Sequence, residues 1–188
     1  CTKLTGEGKK MKAAVLTQYD KNGRELEIRE LPIPEPGADE VLVKVMAAAV
    51  NPLDNMIMRG EVKMIVSYKM GNEFAGIVEK TGKNATRFQV GDRVYGRMPL
   101  KKIGAFAEYA AVREDALARI PEYLSFEEAA TVPLTALTAM QAFEIMKVKA
   151  GESVFISGGT GSLGAMAIPV AKRLGLHVYT NGSGDGDN

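Results

Sequence analysis

A strand, a glycine-rich corner and a helix follow one another without interruption near the end of this sequence, and no other feature restricts the chain as much. Val154-Phe155-Ile156 is β-branched and aromatic, Gly158 to Gly164 forms a loop, and Ala165 to Leu174 has helical character. Gly159-Thr160-Gly161-Ser162-Leu163-Gly164 satisfies G-x-G-x-x-G, and Gly158 adds a second register with glycines at 158, 161 and 164. Directly after a strand and opening a helix, this pattern points to a dinucleotide. Glycines allow the backbone to turn tightly and approach a pyrophosphate, while unpaired N–H groups and the helix dipole favour its negative charge. A glycine turn that only packs helix on strand is the alternative. His177 to Thr180 reads as a second strand, which completes a βαβ unit.

The preceding part of the chain has a different texture. After a polar start over residues 1–10, read as a tag, linker or extension, strands are expected at Lys12 to Leu16, Leu26 to Glu30, Glu40 to Ala47, Phe74 to Thr81, Arg93 to Arg97 and Ala107 to Val112. Turn chemistry separates them, including Asn22-Gly23, Pro34-Glu35-Pro36-Gly37, Lys83-Asn84 and Val90-Gly91-Asp92. Short strands at this spacing suggest a closed or nearly closed antiparallel barrel, from which Pro52 to Met58 projects as a short helix or turn. Near Ser125 the texture changes. Ser125-Phe126-Glu127-Glu128 has the form of a capping box, and Thr135 to Met146 carries Leu137, Met140, Ala142, Phe143 and Met146 at helical intervals.

Composition narrows the function classes. The 188 residues hold 24 Lys and Arg against 23 Asp and Glu, a net charge of +1, which argues against a dedicated nucleic-acid binder. The single cysteine, Cys1, excludes an internal disulfide framework and any zinc site built on several thiolates, and suits a reducing compartment. No apolar run approaches the roughly 20 residues needed to cross a bilayer, and the start lacks the apolar segment of a signal peptide. The expectation is a cytoplasmic, soluble protein that engages neither nucleic acid nor membrane.

The end of the second βαβ strand bears on the choice of cofactor, because an Asp or Glu there would hold an adenosine ribose 2′-hydroxyl. Thr180-Asn181-Gly182-Ser183 offers no carboxylate, which favours NADPH over NADH. A reading of these four as turn residues stays open. The remaining polar tail, 184–188, resembles a solvated linker.

The order of the barrel, Gly71-Asn72-Glu73-Phe74-Ala75-Gly76, Val90-Gly91-Asp92-Arg93-Val94, Gly104-Ala105-Phe106-Ala107-Glu108-Tyr109 and the glycine loop resembles the medium-chain dehydrogenase/reductase superfamily, and within it the zinc-independent quinone oxidoreductase branch. The implied fold is mixed β and α/β: a GroES-like β-barrel domain over 11–124, followed by the first βαβ unit of a Rossmann domain over 125–183. Zinc-dependent relatives place a Cys in the first active-site loop and a His in Gly-His-Glu, where this chain has Val50-Asn51-Pro52-Leu53-Asp54 and Gly71-Asn72-Glu73. Neither thiol nor imidazole is available for a catalytic zinc. His177, the only histidine, lies in a strand and is assigned to packing or an exposed edge rather than catalysis.

The resemblance implies hydride transfer from NADPH to a quinone or an activated alkene. Asn51 is then the candidate polar contact to nicotinamide or substrate, with helix capping by Asp54 as the competing use of that loop. Thr135 and Thr138 match the stretch beside the nicotinamide ribose, although helix hydroxyls also bond the preceding turn. Gly158, Gly159, Thr160, Gly161, Ser162, Leu163 and Gly164 would hold the pyrophosphate, and Asn181, Gly182 and Ser183 would surround the adenosine ribose. Tyr68 either reaches the substrate or packs with a wet tip. Family members continue through further Rossmann strands and helices, so the expectation is a truncated form of such an enzyme. It allows a homo-oligomer, but the usual dimer strand is absent. The alternative is a noncatalytic fragment or interaction module that associates through its incomplete sheet.

Overall fold

The computed structural model describes residues 8–22, 26–63 and 68–182. The chain divides into two units, Cys1–Thr131 and Val132–Asn188.

The first unit is antiparallel throughout. Strands β1 (Lys10–Leu16) and β2 (Leu26–Pro32) form a hairpin in which Lys10 lies opposite Pro32. Lys9 joins it through its carbonyl, which accepts the Ile33 N–H at 3.1 Å, so the hairpin takes in part of the polar start. Residue Gly23 of the expected Asn22-Gly23 turn, and residues 1–7 of the polar start, lie outside the described residues. Strands β3 (Glu40–Ala49), β4 (Glu73–Thr81), β5 (Arg93–Arg97), β6 (Tyr109–Arg113) and β7 (Leu117–Arg119) make one sheet in the order β6-β3-β4-β5-β7. The sheet is not closed by a ladder between β6 and β7. Isolated bridges from Ala13 to Ala107 and from Val15 to Lys69 tie β1 to the neighbouring segments.

Alternation decides which side chains face inward. Val41 and Val43 from β3, Phe74 and Val78 from β4, Val94 from β5, Ala110 and Val112 from β6 and Leu117 from β7 share one buried cluster, the interior of a partly open barrel. One helix, α1 (Pro52–Met58), leaves this barrel between β3 and β4. The short helix α2 (Phe126–Ala130) has the reciprocal cap expected of it: Ser125 Oγ accepts the Glu128 N–H at 3.1 Å, and Glu128 Oε2 accepts the Ser125 N–H at 2.8 Å. Its Ala129 and Ala130 pack with Ala75 and Ile120, so the change of texture near Ser125 lies one helix ahead of the division after Thr131.

The second unit holds α3 (Pro133–Met146), β8 (Ser153–Ile156), α4 (Ser162–Arg173) and β9 (His177–Thr180), with β8 and β9 parallel. Helix α3 is apolar nearly all round, so periodicity alone does not select its buried side. Ala139 and Phe143 pack against Ala167 and Ala171 of α4, whereas Leu137, Met140 and Met146 remain exposed. Small residues permit that close approach. Val154, Ile156 and Val178 cover the same core, while Phe155 (64% exposed) and Tyr179 (60%) point from the other face of the two-stranded sheet.

Candidate functional site

In the first unit, strand pairing builds a polar cluster from segments distant in sequence. The last residue of β3, Ala49, lies opposite the first of β4, Glu73, which brings the start of α1 beside the start of β4. Asn51 Nδ2 donates to Glu73 Oε1 at 2.7 Å, and the Asn51 N–H donates to Asp54 Oδ2 at 2.8 Å. Asn72 Nδ2 donates to Asp54 Oδ1 at 2.8 Å. Asp54 and Asn72 are 0% exposed and Glu73 is 1% exposed, while Asn51 is half-buried at the edge of the cluster.

Burial pushes the Asp54 carboxyl above its ordinary range, and the hydrogen bonds from Asn51 and Asn72 pull in the opposite direction by favouring the charged form. The capping use of Asp54 is thus realised, and Asn51 is simultaneously held by a carboxylate. Because Glu73 Oε1 accepts, the amide of Asn51 must turn its Nδ2 toward it. Asn51 and Asn72 are thus amides each tied to a carboxylate, and the cluster contains neither thiol nor imidazole. Among the described residues no group of three or more His, Cys, Asp and Glu is arranged to hold a metal ion. From sequence, Asn72 and Glu73 stand in a motif of the resemblance and in the place of a zinc ligand, without a role of their own; the signal for one is two polar residues immediately ahead of the apolar run Phe74-Ala75.

In the second unit the glycine corner is largely open to solvent, with Gly159 and Gly164 buried. Gly158 takes φ +71°, a left-handed conformation in which glycine has no Cβ to clash. Gly161 caps α4, and the first helical bond is Ala165 N–H to the Gly161 carbonyl at 2.8 Å. The amides of Ser162, Leu163 and Gly164 therefore precede the helical ladder. Helix α4 starts at Ser162 rather than Ala165, so these three belong to its first turn and not to the loop. Gly164 permits this, since a Cβ there would run into the Gly158 carbonyl.

Three other amides of the corner are engaged within the chain. The Gly161 N–H donates to the Gly158 carbonyl at 2.9 Å. Gly158 N–H donates to Asn181 Oδ1 at 2.8 Å, and Gly159 N–H donates to the Asn181 carbonyl at 2.9 Å. Gly182 lies beside Thr160, and Ser183 lies outside the described residues, as does the tail 184–188. Both α3 hydroxyls bond the preceding turn, Thr138 Oγ1 to the Leu134 carbonyl at 2.6 Å and Thr135 Oγ1 to that of Val132 at 3.3 Å. His177 is exposed at the start of β9, opposite Ser153, whereas the glycine corner follows the other end of the strands. Tyr68 is exposed.

Residues 37–122 match the alcohol dehydrogenase GroES-like domain. The quinone oxidoreductase of Sus scrofa is 38% identical over 163 residues, covering 85% of this chain and 49% of that protein. The solved structure of the quinone oxidoreductase from Coxiella burnetii superposes with a TM-score of 0.83 at 32% identity, covering 94% of this chain and 58% of its own. The chain belongs to the medium-chain dehydrogenase/reductase superfamily. The 2-methylene-furan-3-one reductase of Solanum lycopersicum is 36% identical over 151 residues, covering 76% of this chain and 39% of that protein. This superfamily chain spans about half the length of the curated relatives it matches.

Proposed function

We propose that this chain carries the barrel domain and the diphosphate-binding corner of an NADPH-dependent oxidoreductase that reduces a quinone, enone or enal without a catalytic metal. The observation that carries this reading is the start of α4, where the Ser162, Leu163 and Gly164 amides precede the helical ladder on an exposed corner. The names of the relatives, quinone oxidoreductase and 2-methylene-furan-3-one reductase, support the substrate class.

In this reading Gly158 to Gly164, with Thr160 among them, receive the diphosphate, and Asn181, Gly182 and Ser183 surround the adenosine ribose. Thr135 and Thr138, whose hydroxyls donate to the Val132 and Leu134 carbonyls, serve the nicotinamide ribose. The nicotinamide, when bound, supplies the hydride. Reduction of a conjugated carbonyl builds negative charge on oxygen, and a neutral donor near that oxygen lowers the barrier. Asn51 is assigned to that contact, its orientation fixed by Glu73. Replacement of thiol and imidazole by the Asn51–Asp54–Asn72–Glu73 cluster supports metal-free chemistry. A cytoplasmic location and self-association belong to the same reading; among the described residues no helix is long and apolar enough to cross a membrane.

The test is a calorimetric titration of this chain and of Gly161→Val with NADPH and NADH. Saturable binding, tighter for NADPH and lost in the variant, is expected. Tighter NADH binding overturns the cofactor assignment, and binding of neither overturns the redox reading. Exposure of Phe155 and Tyr179 favours a second reading, a noncatalytic module that associates through this sheet face. Size-exclusion chromatography separates the two, because a monomer that binds NADPH excludes the module and an oligomer that binds neither nucleotide supports it.

A further inference from the structure

Strand β2 is almost uncovered. Among the described residues only β1 pairs with it, and every residue from Leu26 to Glu30 is exposed, Ile28 at 70%. The hydrogen bonds of β1 show which main-chain groups of β2 are left over. The Ala14 and Leu16 N–H groups donate to the Phe106 and Tyr68 carbonyls at 2.7 Å, and the Lys12 and Ala14 carbonyls accept from the Glu108 and Met70 amides, so Lys12, Ala14 and Leu16 face away from β2. Main-chain groups alternate in direction along an antiparallel strand. Met11, Ala13 and Val15 therefore bond their partners Leu31, Arg29 and Glu27, and the N–H and carbonyl groups of Leu26, Ile28 and Glu30 point to the free edge. Pro32, the next residue in that direction, has no N–H and ends the stretch that another strand can pair with.

We infer that this edge is the contact surface for a second copy of the chain, paired antiparallel about a twofold axis through Ile28. Such pairing sets Ile28 opposite Ile28 of the partner subunit and Leu26 opposite Glu30 of the partner subunit, and it joins the N–H and carbonyl groups left over on both edges. It also places Glu27 opposite the partner's Arg29, and Arg29 opposite the partner's Glu27. Residues opposite one another share a face and interact. Within one chain Glu27 Oε2 already accepts from Arg29 Nε at 3.0 Å and Nη2 at 2.9 Å, so the dimer closes a ring of alternating charges, a network rather than an isolated surface pair.

Charge also selects the register. Moving the axis by one residue sets Glu27 against Glu27 or Arg29 against Arg29, and like charges directly opposite disfavour pairing. Twofold pairing consumes the edge and stops at two chains. The contact lies within the first unit and rests neither on nucleotide binding nor on the exposed face of β8 and β9.

The test is sedimentation of the parent chain over a concentration series, beside Glu27→Arg and Arg29→Glu, each alone and the two mixed. One strand pair is a small interface, so the parent is expected to show a concentration-dependent monomer–dimer equilibrium. Either reversal replaces both opposite-charge pairs by like-charge ones and is expected to weaken the dimer about tenfold or more. An equimolar mixture of the two variants restores both pairs between unlike chains and is expected to dimerise as the parent does. Loss of the Glu27–Arg29 contact inside one chain cannot be restored by mixing. The Ile28 N–H, bonded only across the axis, is expected to exchange with solvent more slowly as the dimer forms. A parent that stays monomeric throughout overturns the inference, as do variants that remain apart when mixed and an Ile28 exchange rate that ignores concentration. A dimer that neither reversal weakens, or one lost in Phe155→Ser, belongs to the second unit and overturns it as well.

Discussion

Asn72 Nδ2 donates to Asp54 Oδ1 at 2.8 Å, and both side chains are wholly removed from solvent. Asp54 also accepts the Asn51 N–H at the start of α1, so one carboxylate satisfies donors from two segments. Asp54→Ala leaves both donors without this partner. A loss of about 3 kcal/mol is expected, within the range for stranding buried donors, and denaturant unfolding of the variant beside the parent checks it. A change below roughly 0.5 kcal/mol, typical of surface substitutions, contradicts the role assigned to Asp54.

The same carboxylate gives stability a defined pH dependence. Its folded pKa is raised by burial, so the folded state holds the proton more tightly than the unfolded chain. Between the two pKa values the folded state binds more protons, and stability falls as pH rises; the contribution is fully present below the unfolded value, near ~4, and is lost as pH climbs through the folded one. Against Asp54→Asn as reference, the parent chain is expected to lose relative stability upward from about pH 4. Unfolding midpoints of the two proteins across the acid range measure this, and a relative stability that rises with pH contradicts it.

A second structural test concerns α2. Ser125 Oγ caps Glu128 N–H, while Arg93 donates through Nη2 to the Leu124 carbonyl at 2.6 Å and lies over the Phe126 ring at 4.8 Å. Ser125→Ala is expected to cost about 1 kcal/mol, the usual effect of losing such a cap. Thermal unfolding reads the cost, and a variant as stable as the parent shows that Arg93 and the Ala129–Ala130 contacts hold the helix without the cap.

How much of this was visible beforehand depends on the range of each signal. The capping box at Ser125 and Glu128 and the strand–glycine–helix order are local, and both are present as read. Strand β7, only Leu117–Arg119, is too short to leave an alternating pattern and is defined by its pairing with β5. Helix α4 starts three residues ahead of the expected Ala165, because Gly164, a poor helix former, takes its place in the first turn through the approach of the Gly158 carbonyl, a tertiary contact. Likewise Asn51 and Asp54 could be read as a capping loop, but Glu73 and Asn72 enter only through the β3–β4 register.

Gly164 gives a prediction for the second unit. Gly164→Ala is favoured by helix propensity yet places a Cβ against the Gly158 carbonyl, so α4 or the corner must shift. The crowding is expected to dominate, with a net loss of about 1–3 kcal/mol. Calorimetric unfolding measures it; a stabilised variant means that the helix does not lie this close to the corner.

Cofactor binding in this chain depends on amides at the start of α4 that are available to a diphosphate. Titration of the isotopically labelled chain with NADPH, followed through its backbone amide signals, addresses this directly. The largest shifts are expected at Ser162, Leu163 and Gly164, saturating with one equivalent bound. Saturation with these three signals unmoved, or no saturation at all, contradicts the assignment of this corner.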